Sequence, residues 1–430
     1  MTSSLAFLFA CLLTGALAST GSASAQPAQQ DSSERTHLPR QDARSTNGKP
    51  STTSVTTARD ATSTSAHPST VPPTEADATG STNGASNAPT SAGTEDSSLE
   101  PRRFAVIVGN NRSLNGRRPD LHFADDDAAR YFEILTTLAP GRSYLLTRFD
   151  RDTSRLFSSA RSQTRSPTRL ELERLGAKLR QQVKAAQREG RDTELYFVFA
   201  GHGDVAQGEG FIELADGRFR SRDLEAWLSQ IPFTRAHVIL DSCNSFFMLG
   251  VRKPGGRHFA TSEDAARALS SRLPNVGVFL STSAEGETFE WSEIQSGIFS
   301  HVVRSGLLGA ADANADGAVS YMELAAFVDT ATRDVRNPNM RPHVFARGPG
   351  AEPETPIVQL RSMEQVRRFA LHERDPLRLR VRDADGLLLL DAHIEGDNPL
   401  TVALPDGWAE SAVIERMGAQ SGGAWAGNEV

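Results

Sequence analysis

The sequence predicts an α/β fold: a mostly parallel central sheet with helices on both faces, followed by a small C-terminal β unit. Three observations carry that expectation. Short β-branched and aromatic runs alternate with helix-length amphipathic stretches. The runs are apolar throughout rather than every second residue, as strands buried on both faces are. Reactive side chains follow directly on the ends of two of them, where open parallel sheets keep their chemistry.

Taken in order, residues 104–108 (FAVIV) make the first core strand, closed by Gly109-Asn110. A helical period covers 124–138, a short strand YLLT covers 144–147, and a second helix runs over 168–188. Three further core strands fall at Leu195 to Ala200, Ala236 to Leu240 and Val276 to Leu280, with a helix at 222–231 between the first two. Beyond residue 350, Pro353 and Pro356 read as a linker. The strictly alternating Leu377-Arg378-Leu379-Arg380-Val381-Arg382, the turn at 383–386 and the runs 387–390 and 400–404 then read as a β unit spanning 351–430. Its three arginines read as a solvated strand face.

Ahead of the folded part the composition changes twice. Residues 5–18 (LAFLFACLLTGALA) and Ala23-Ser24-Ala25 read as a secretory signal peptide over 1–25, which implies an exported protein, an uncleaved N-terminal anchor being the alternative. Of the 75 residues from 26 to 100, 27 are Ser or Thr and none is aromatic. Such a stretch cannot bury enough apolar surface to offset ordering entropy of about 1–2 kcal/mol per residue, so it reads as a disordered linker. The net charge of -7 over 430 residues argues against nucleic acid as a partner, and no internal apolar run is long enough to span a membrane. Only Cys11 and Cys243 carry thiols, so the folded body has no internal disulfide.

The chemistry lies at two strand ends. LYFVFA leads into Gly201-His202-Gly203-Asp204, and AHVIL into Asp241-Ser242-Cys243-Asn244-Ser245. A free thiol is mostly protonated at neutral pH, so a neighbouring imidazole is what makes it a nucleophile. If the two strands are neighbours, His202 and Cys243 meet, and the backbone N–H of Gly203 and of Cys243 can hold a tetrahedral oxyanion. Either residue alone reads more readily as structural; the pair is the signal.

These segments resemble the bacterial caspase-like cysteine peptidases of the metacaspase and orthocaspase kind, over roughly residues 103–349. The resemblance rests on FAVIVGNN, LHFADDDAARYF, FVFAGHGD, HVILDSCNS, VGVFLSTSAEGETFE and GIFSHVVRSGLLGAADANADGAVSYMEL. It implies a caspase-hemoglobinase fold in a peptidase domain at 101–350, with His202 as general base and Cys243 as nucleophile acting on a polypeptide substrate. Asn244 and Phe246 depart from the family's usual D-S-C-H-S-G. The resemblance also implies cleavage after Arg or Lys, selected by Asp241 and by an acidic residue of the first helix, best matched by Asp127. The alternative for Asp241 is pairing with a resident arginine, and for Asp125 to Asp127 a helix N-terminus, where negative charge is favoured. Two other functions stay open: a catalytically silent binding or scaffold protein, and a peptidase of the clostripain or gingipain type. Arg252, Lys253 and Arg257 are candidate self-processing positions.

One motif remains. Residues 312–323 fit the twelve-residue EF-hand loop, with Asp312, Asn314, Asp316, the Ala318 carbonyl, Ser320 and Glu323 at the ligand positions and Gly317 at the turn. The expected cofactor is a structural Ca2+. The alternative is a polar connection held by Asx turns, since no second EF-hand is visible to pair with it.

Overall fold

The structure, a computed structural model, describes residues 99–430 except 115, 117, 244, 250–270, 282–289, 334, 336, 372–376, 395–398, 419–420, 425–427 and 430. The chain divides into two units. The first, Met1–Thr90, lies outside the described residues, and with it the expected signal peptide at 1–25 and most of the expected linker at 26–100; the second, Ser91–Val430, holds everything below.

That unit begins β1 (Arg102–Asn110), α1 (Ala124–Leu138), β2 (Ser143–Leu146), β3 (Thr164–Arg165), α2 (Arg169–Arg188) and β4 (Thr193–Gly201). A small hairpin sheet follows, β5 (Gly203–Ala206), β6 (Glu209–Leu214) and β7 (Gly217–Arg220), then α3 (Ser221–Ser229), β8 (Arg235–Asp241) and β9 (Val276–Ser281). Next come β10 (Glu290–Trp291), β11 (Ser296–Gly297), α4 (Ile298–Ser305), β12 (Ala318–Ser320), α5 (Tyr321–Ala331) and β13 (Val344–Arg347). The C-terminal strands are β14 (Pro356–Gln359), β15 (Val366–Leu371), β16 (Leu377–Arg382), β17 (Leu388–Ile394), β18 (Leu400–Pro405), β19 (Val413–Gly418) and β20 (Ser421–Ala424).

The central sheet has seven strands in the order β13-β9-β8-β4-β1-β2-β3. Every pairing is parallel except that of β13 with β9, which closes one edge antiparallel. The predicted α/β class and the mostly parallel sheet are therefore observed. Successive side chains of a strand point to opposite faces, and each face builds its own core. Phe104, Val106, Leu195, Phe197, Val238 and Leu240 pack with Leu172 and Leu179 of α2 and Leu224 and Trp227 of α3. Ala105, Ile107, Tyr196, Val198 and Ile239 pack with α1, α4 and α5 through Tyr131, Leu135, Phe299, Val303 and Leu324. Each fully buried large apolar side chain contributes about 1.5–3 kcal/mol, so both faces are needed to hold the sheet flat between helices.

The C-terminal strands share the second of these cores. Ile357, Leu379, Val381, Leu390 and Leu404 belong to the same cluster as Ala128 and Tyr131. The predicted strand at 377–382 is β16, paired antiparallel with β17 and β19, and β15 pairs with β18. Among the described residues no helix is long and apolar enough to cross a membrane.

Candidate active site

The two reactive strands are neighbours. β4 and β8 pair parallel, Ala200 lying opposite Asp241, so continuing the register sets His202 level with Cys243 just beyond the sheet. Val198 and Ile239 face the α1/α4 core, and Asp241, two residues beyond Ile239, meets the start of α4 on that same side. Two glycines make the approach feasible. A Cβ on Gly203 would stand 2.6 Å from the Cys243 carbonyl oxygen and 2.6 Å from Ser242 Oγ, and one on Gly201 would stand 2.9 Å from the Asn110 carbonyl oxygen. Any side chain at 203 would wedge the His and Cys segments apart. Beyond Cys243 the backbone is braced by Ser242 Oγ against Ser245 Oγ at 2.7 Å and by Ser245 Oγ donating to the Ser242 carbonyl at 2.6 Å. Asn244 and the Phe246 side chain, and Arg252, Lys253 and Arg257, lie outside what the structure describes.

His202 is 3% exposed and Cys243 5%. Burial, with the nearby Arg118 guanidinium next, holds the His202 pKa below the usual histidine value, while a hydrogen bond to the Pro119 backbone pulls the other way. The imidazole is therefore neutral at neutral pH. Nε2 is buried without a partner among the described residues, which leaves it the basic nitrogen. The segment before α1 is pinned beside this ring: Arg118 forms an ion pair of 2.6 Å with buried Glu213, whose backbone N–H donates to the His202 carbonyl at 2.9 Å.

Asp241 and Asp127 come together under the N-terminus of α4. A Cβ on Gly297 would stand 2.9 Å from Asp241 Oδ2 and 3.3 Å from Asp127 Oδ2, so the helix enters this closely only on a glycine. Ser300 donates to Asp241 Oδ2 through Oγ at 2.6 Å and through its backbone N–H at 3.2 Å. Asp241 thus caps a helix from a distant strand. Its Oδ1 accepts no hydrogen bond from the described residues. Burial, and then the Asp127 carboxylate, push Asp241 up to about 7.

Asp127 differs. Oδ2 accepts from the Gly297 N–H at 2.9 Å, and Oδ1 from Ser296 Oγ at 2.5 Å and from Arg304 at 2.7 Å, an ion pair with both side chains buried. The resident-arginine alternative, raised in the sequence for Asp241, is found at Asp127. Asp125 and Asp126 are buried at the same helix start, where Asp125 accepts from Asn111 at 2.6 Å and from the Asp150 N–H at 2.9 Å. Burial raises both of their pKa values. Ser296, Ser300 and Arg304 are the residues the sequence reading missed. Ser300 and Arg304 sit in the segment GIFSHVVRS and Ser296 just ahead of it, but nothing local there says which strand end the helix meets.

A depression of about 880 Å³ opens beside this cluster between His122, Asp126, Asp150, Glu293 and Gln295 and is lined by neither His202 nor Cys243. A hairpin unforeseen in the sequence, β5–β6–β7, grows straight out of the His202 turn. Asp216-Gly217 between apolar runs was its legible signal.

The 312–323 loop lies between α4 and α5. Asp312 accepts from the Asp316 and Gly317 N–H groups at 3.1 and 3.0 Å, Asp316 from the Ala318 N–H at 2.8 Å, and Gly317 takes φ +80°. Glu323 Oε2 accepts from the Ser320 N–H and hydroxyl, closing a capping box on α5, while Oε1 is buried without a partner among the described residues. Burial, with Asp316 and Glu323 nearby, raises Asp312. Among the described residues no three of His, Cys, Asp and Glu stand close enough to form a metal cluster as placed. Within the loop Ala318–Ser320 is β12, and it pairs antiparallel with β14.

No family model matches the chain, and no curated protein matches it. Among solved structures the chain is similar to pro-Sf-caspase-1 with 14% identity, over 53% of this chain and 76% of that one, at a TM-score of 0.31.

Proposed function

We propose that this protein is a caspase-like cysteine endopeptidase that cleaves after Arg or Lys, with a caspase-hemoglobinase core and a His202–Cys243 dyad. The observation that carries the reading is the parallel register of β4 and β8, which extrapolates to His and Cys at matching positions beyond adjacent strands. His202 Nε2, neutral and unpartnered, takes the thiol proton; the thiolate adds to the scissile carbonyl carbon; and the resulting oxyanion is held by backbone N–H groups. Gly203 suits that task. It lies opposite Ile212, and with Glu213 N bonded to the His202 carbonyl, position 203 is the non-hydrogen-bonded one of the ladder, so its N–H is not spent there. The His202 proton then passes to the leaving amine as the C–N bond breaks, and water, deprotonated by the same imidazole, hydrolyses the thioester.

The basic specificity is supported by charge. Asp127 pairs with Arg304, whereas Asp241 has only the Ser300 donors and no ion pair among the described residues, so an ionised Asp241 has charge to offer a substrate guanidinium or ammonium. For Ca2+, the loop supplies oxygen donors at Asp312, Asp316 and Glu323, with Glu323 Oε1 lacking a hydrogen-bond partner among the described residues, and we propose a structural ion that draws the three carboxylates together. It would offset two of the three carboxylate charges and tie α4 to α5. The leader and linker at 1–100 support export into surroundings where calcium is plentiful.

A silent scaffold is the second reading, favoured by the burial of both dyad residues. Hydrolysis of arginine and aspartate peptide reporters by wild type and Cys243→Ala, with and without calcium, separates the two. The expected result is arginine cleavage that Cys243→Ala abolishes. Equal or absent turnover in both proteins, with no labelling of Cys243 by a thiol-directed electrophile, refutes the peptidase reading.

A further inference from the structure

On the side of α4 away from Asp241, a second cavity of about 190 Å³ lies between α4, α5 and the C-terminal sheet. Its lining combines apolar Ile298, Val302, Val335 and Leu388 with polar His301, Arg378, Arg380, Arg382, Asp391 and His393. His301 is 4% exposed, lines the cavity, and neither of its ring nitrogens has a hydrogen-bond partner among the described residues. A buried polar side chain without a partner is rare, and an absent ligand or ion is one of the few reasons for it.

The charges at the cavity are unequal, three arginines against Asp391 and Glu293. Arg378 is spent on Asp391, with bonds of 2.8 and 2.7 Å, and Arg382 on Glu415 at 3.1 Å. Arg380 touches Asp391 only through Nε, at 3.3 Å, which leaves both terminal nitrogens of its planar fork without a partner among the described residues. A guanidinium presented edge-on matches a carboxylate with two parallel hydrogen bonds. The alternating arginines, expected to form a solvated strand face, instead turn toward this cavity and are only partly exposed.

We propose that this cavity is a binding site for a small organic carboxylate, its acid group held by Arg380 and the His301 ring N–H and its apolar body lying against Ile298, Val302, Val335 and Leu388. The volume is below the roughly 300–1,000 Å³ of drug-sized sites, so the ligand is compact. A purely inorganic anion would leave the apolar wall unused, and an uncharged apolar molecule would leave Arg380 and His301 unsatisfied. The site does not depend on the peptidase reading.

Isothermal calorimetry with phenylacetate, phenylacetamide and inorganic phosphate tests it on the full chain, in wild type and Arg380→Gln. That substitution is on a partly exposed side chain and leaves the Arg378–Asp391 pair intact, so the variant keeps the fold, which a melting curve checks. The expected result is one phenylacetate per chain, a loss of about tenfold or more in affinity for Arg380→Gln, no comparable binding of the amide, and a shift of the His301 ring nitrogen resonances on addition of the acid. No heat with phenylacetate up to about 10 mM, acid and amide binding alike, phosphate binding more tightly than phenylacetate, or an unchanged affinity in Arg380→Gln overturns the proposal.

Discussion

Three buried histidines show how differently one residue type is used. His237 stacks on Tyr196 and takes Tyr321 Oη at 2.8 Å, a satisfied core side chain, whereas His202 and His301 each keep ring nitrogens without a partner among the described residues. The buried carboxylates split in the same way: Asp127 is matched by Arg304, and Asp241 is matched only by hydroxyl and backbone donors. Asp241 near 7 in the folded chain, against about 3.8 unfolded, means that between those values the folded state binds a proton the unfolded state does not. Its contribution to stability is therefore fully present below about pH 4 and is lost as pH rises through 7. Asp241→Asn is expected to raise the melting temperature at pH 8 and to leave it unchanged near pH 4, while abolishing arginine cleavage; a lower melting temperature at pH 8 contradicts the sign. Arg304→Met strands Asp127 as a buried unpaired charge. It should cost about 3–5 kcal/mol in urea denaturation, and the double variant with Asp127→Asn should recover most of that.

Elements meet at this site because glycines let them. Gly297 brings the start of α4 onto two carboxylates, and Gly203 brings the first strand of the hairpin sheet onto the Cys243 carbonyl. Gly203→Ala places a methyl group against backbone, which cannot yield as a flexible side chain can. The expected outcome is a loss of arginine-reporter turnover of about a hundredfold or more with a smaller fall in melting temperature, because the conflict is confined to two turns beyond the sheet. Turnover within threefold of wild type would mean that the turns relax independently. α4 contributes on two sides at once, Ser300 and Arg304 toward the acidic pair and His301 toward the arginine-lined cavity.

At the scale of the whole molecule, the C-terminal strands complete a core rather than append to one. Truncation after Gly350 removes β14, the partner of β12, and takes Ile357, Leu379, Val381 and Leu390 out of the cluster that covers α1 and α4. The truncated chain is expected to aggregate or to lose its cooperative thermal transition; a soluble, cooperatively melting product would show that residues 99–350 fold alone. Calcium at millimolar concentration is expected to raise the melting temperature of the full chain, and Glu323→Gln to remove most of that rise, measured by calorimetry. Equal melting temperatures with calcium and with chelator would dispose of the ion.

The central strands and the two long helices were legible because their information is local. FAVIV, LYFVFA and AHVIL are continuous apolar runs, and α1 is observed over the residues its period marked, 124–138. The placement of His202 and Cys243 just beyond neighbouring strands was legible for a related reason: strand ends are visible in sequence, and the glycines beside His202 announce a sharp turn. What pairs with Asp127 was not legible, since Arg304 lies 177 residues further on and its helix carries no mark of the strand end it faces. Nor did the alternation of Leu377 to Arg382 say which side the arginines turn to. Period two separates two faces of a strand, but only packing against α4 and α5 decides that the arginine face closes a cavity instead of meeting water.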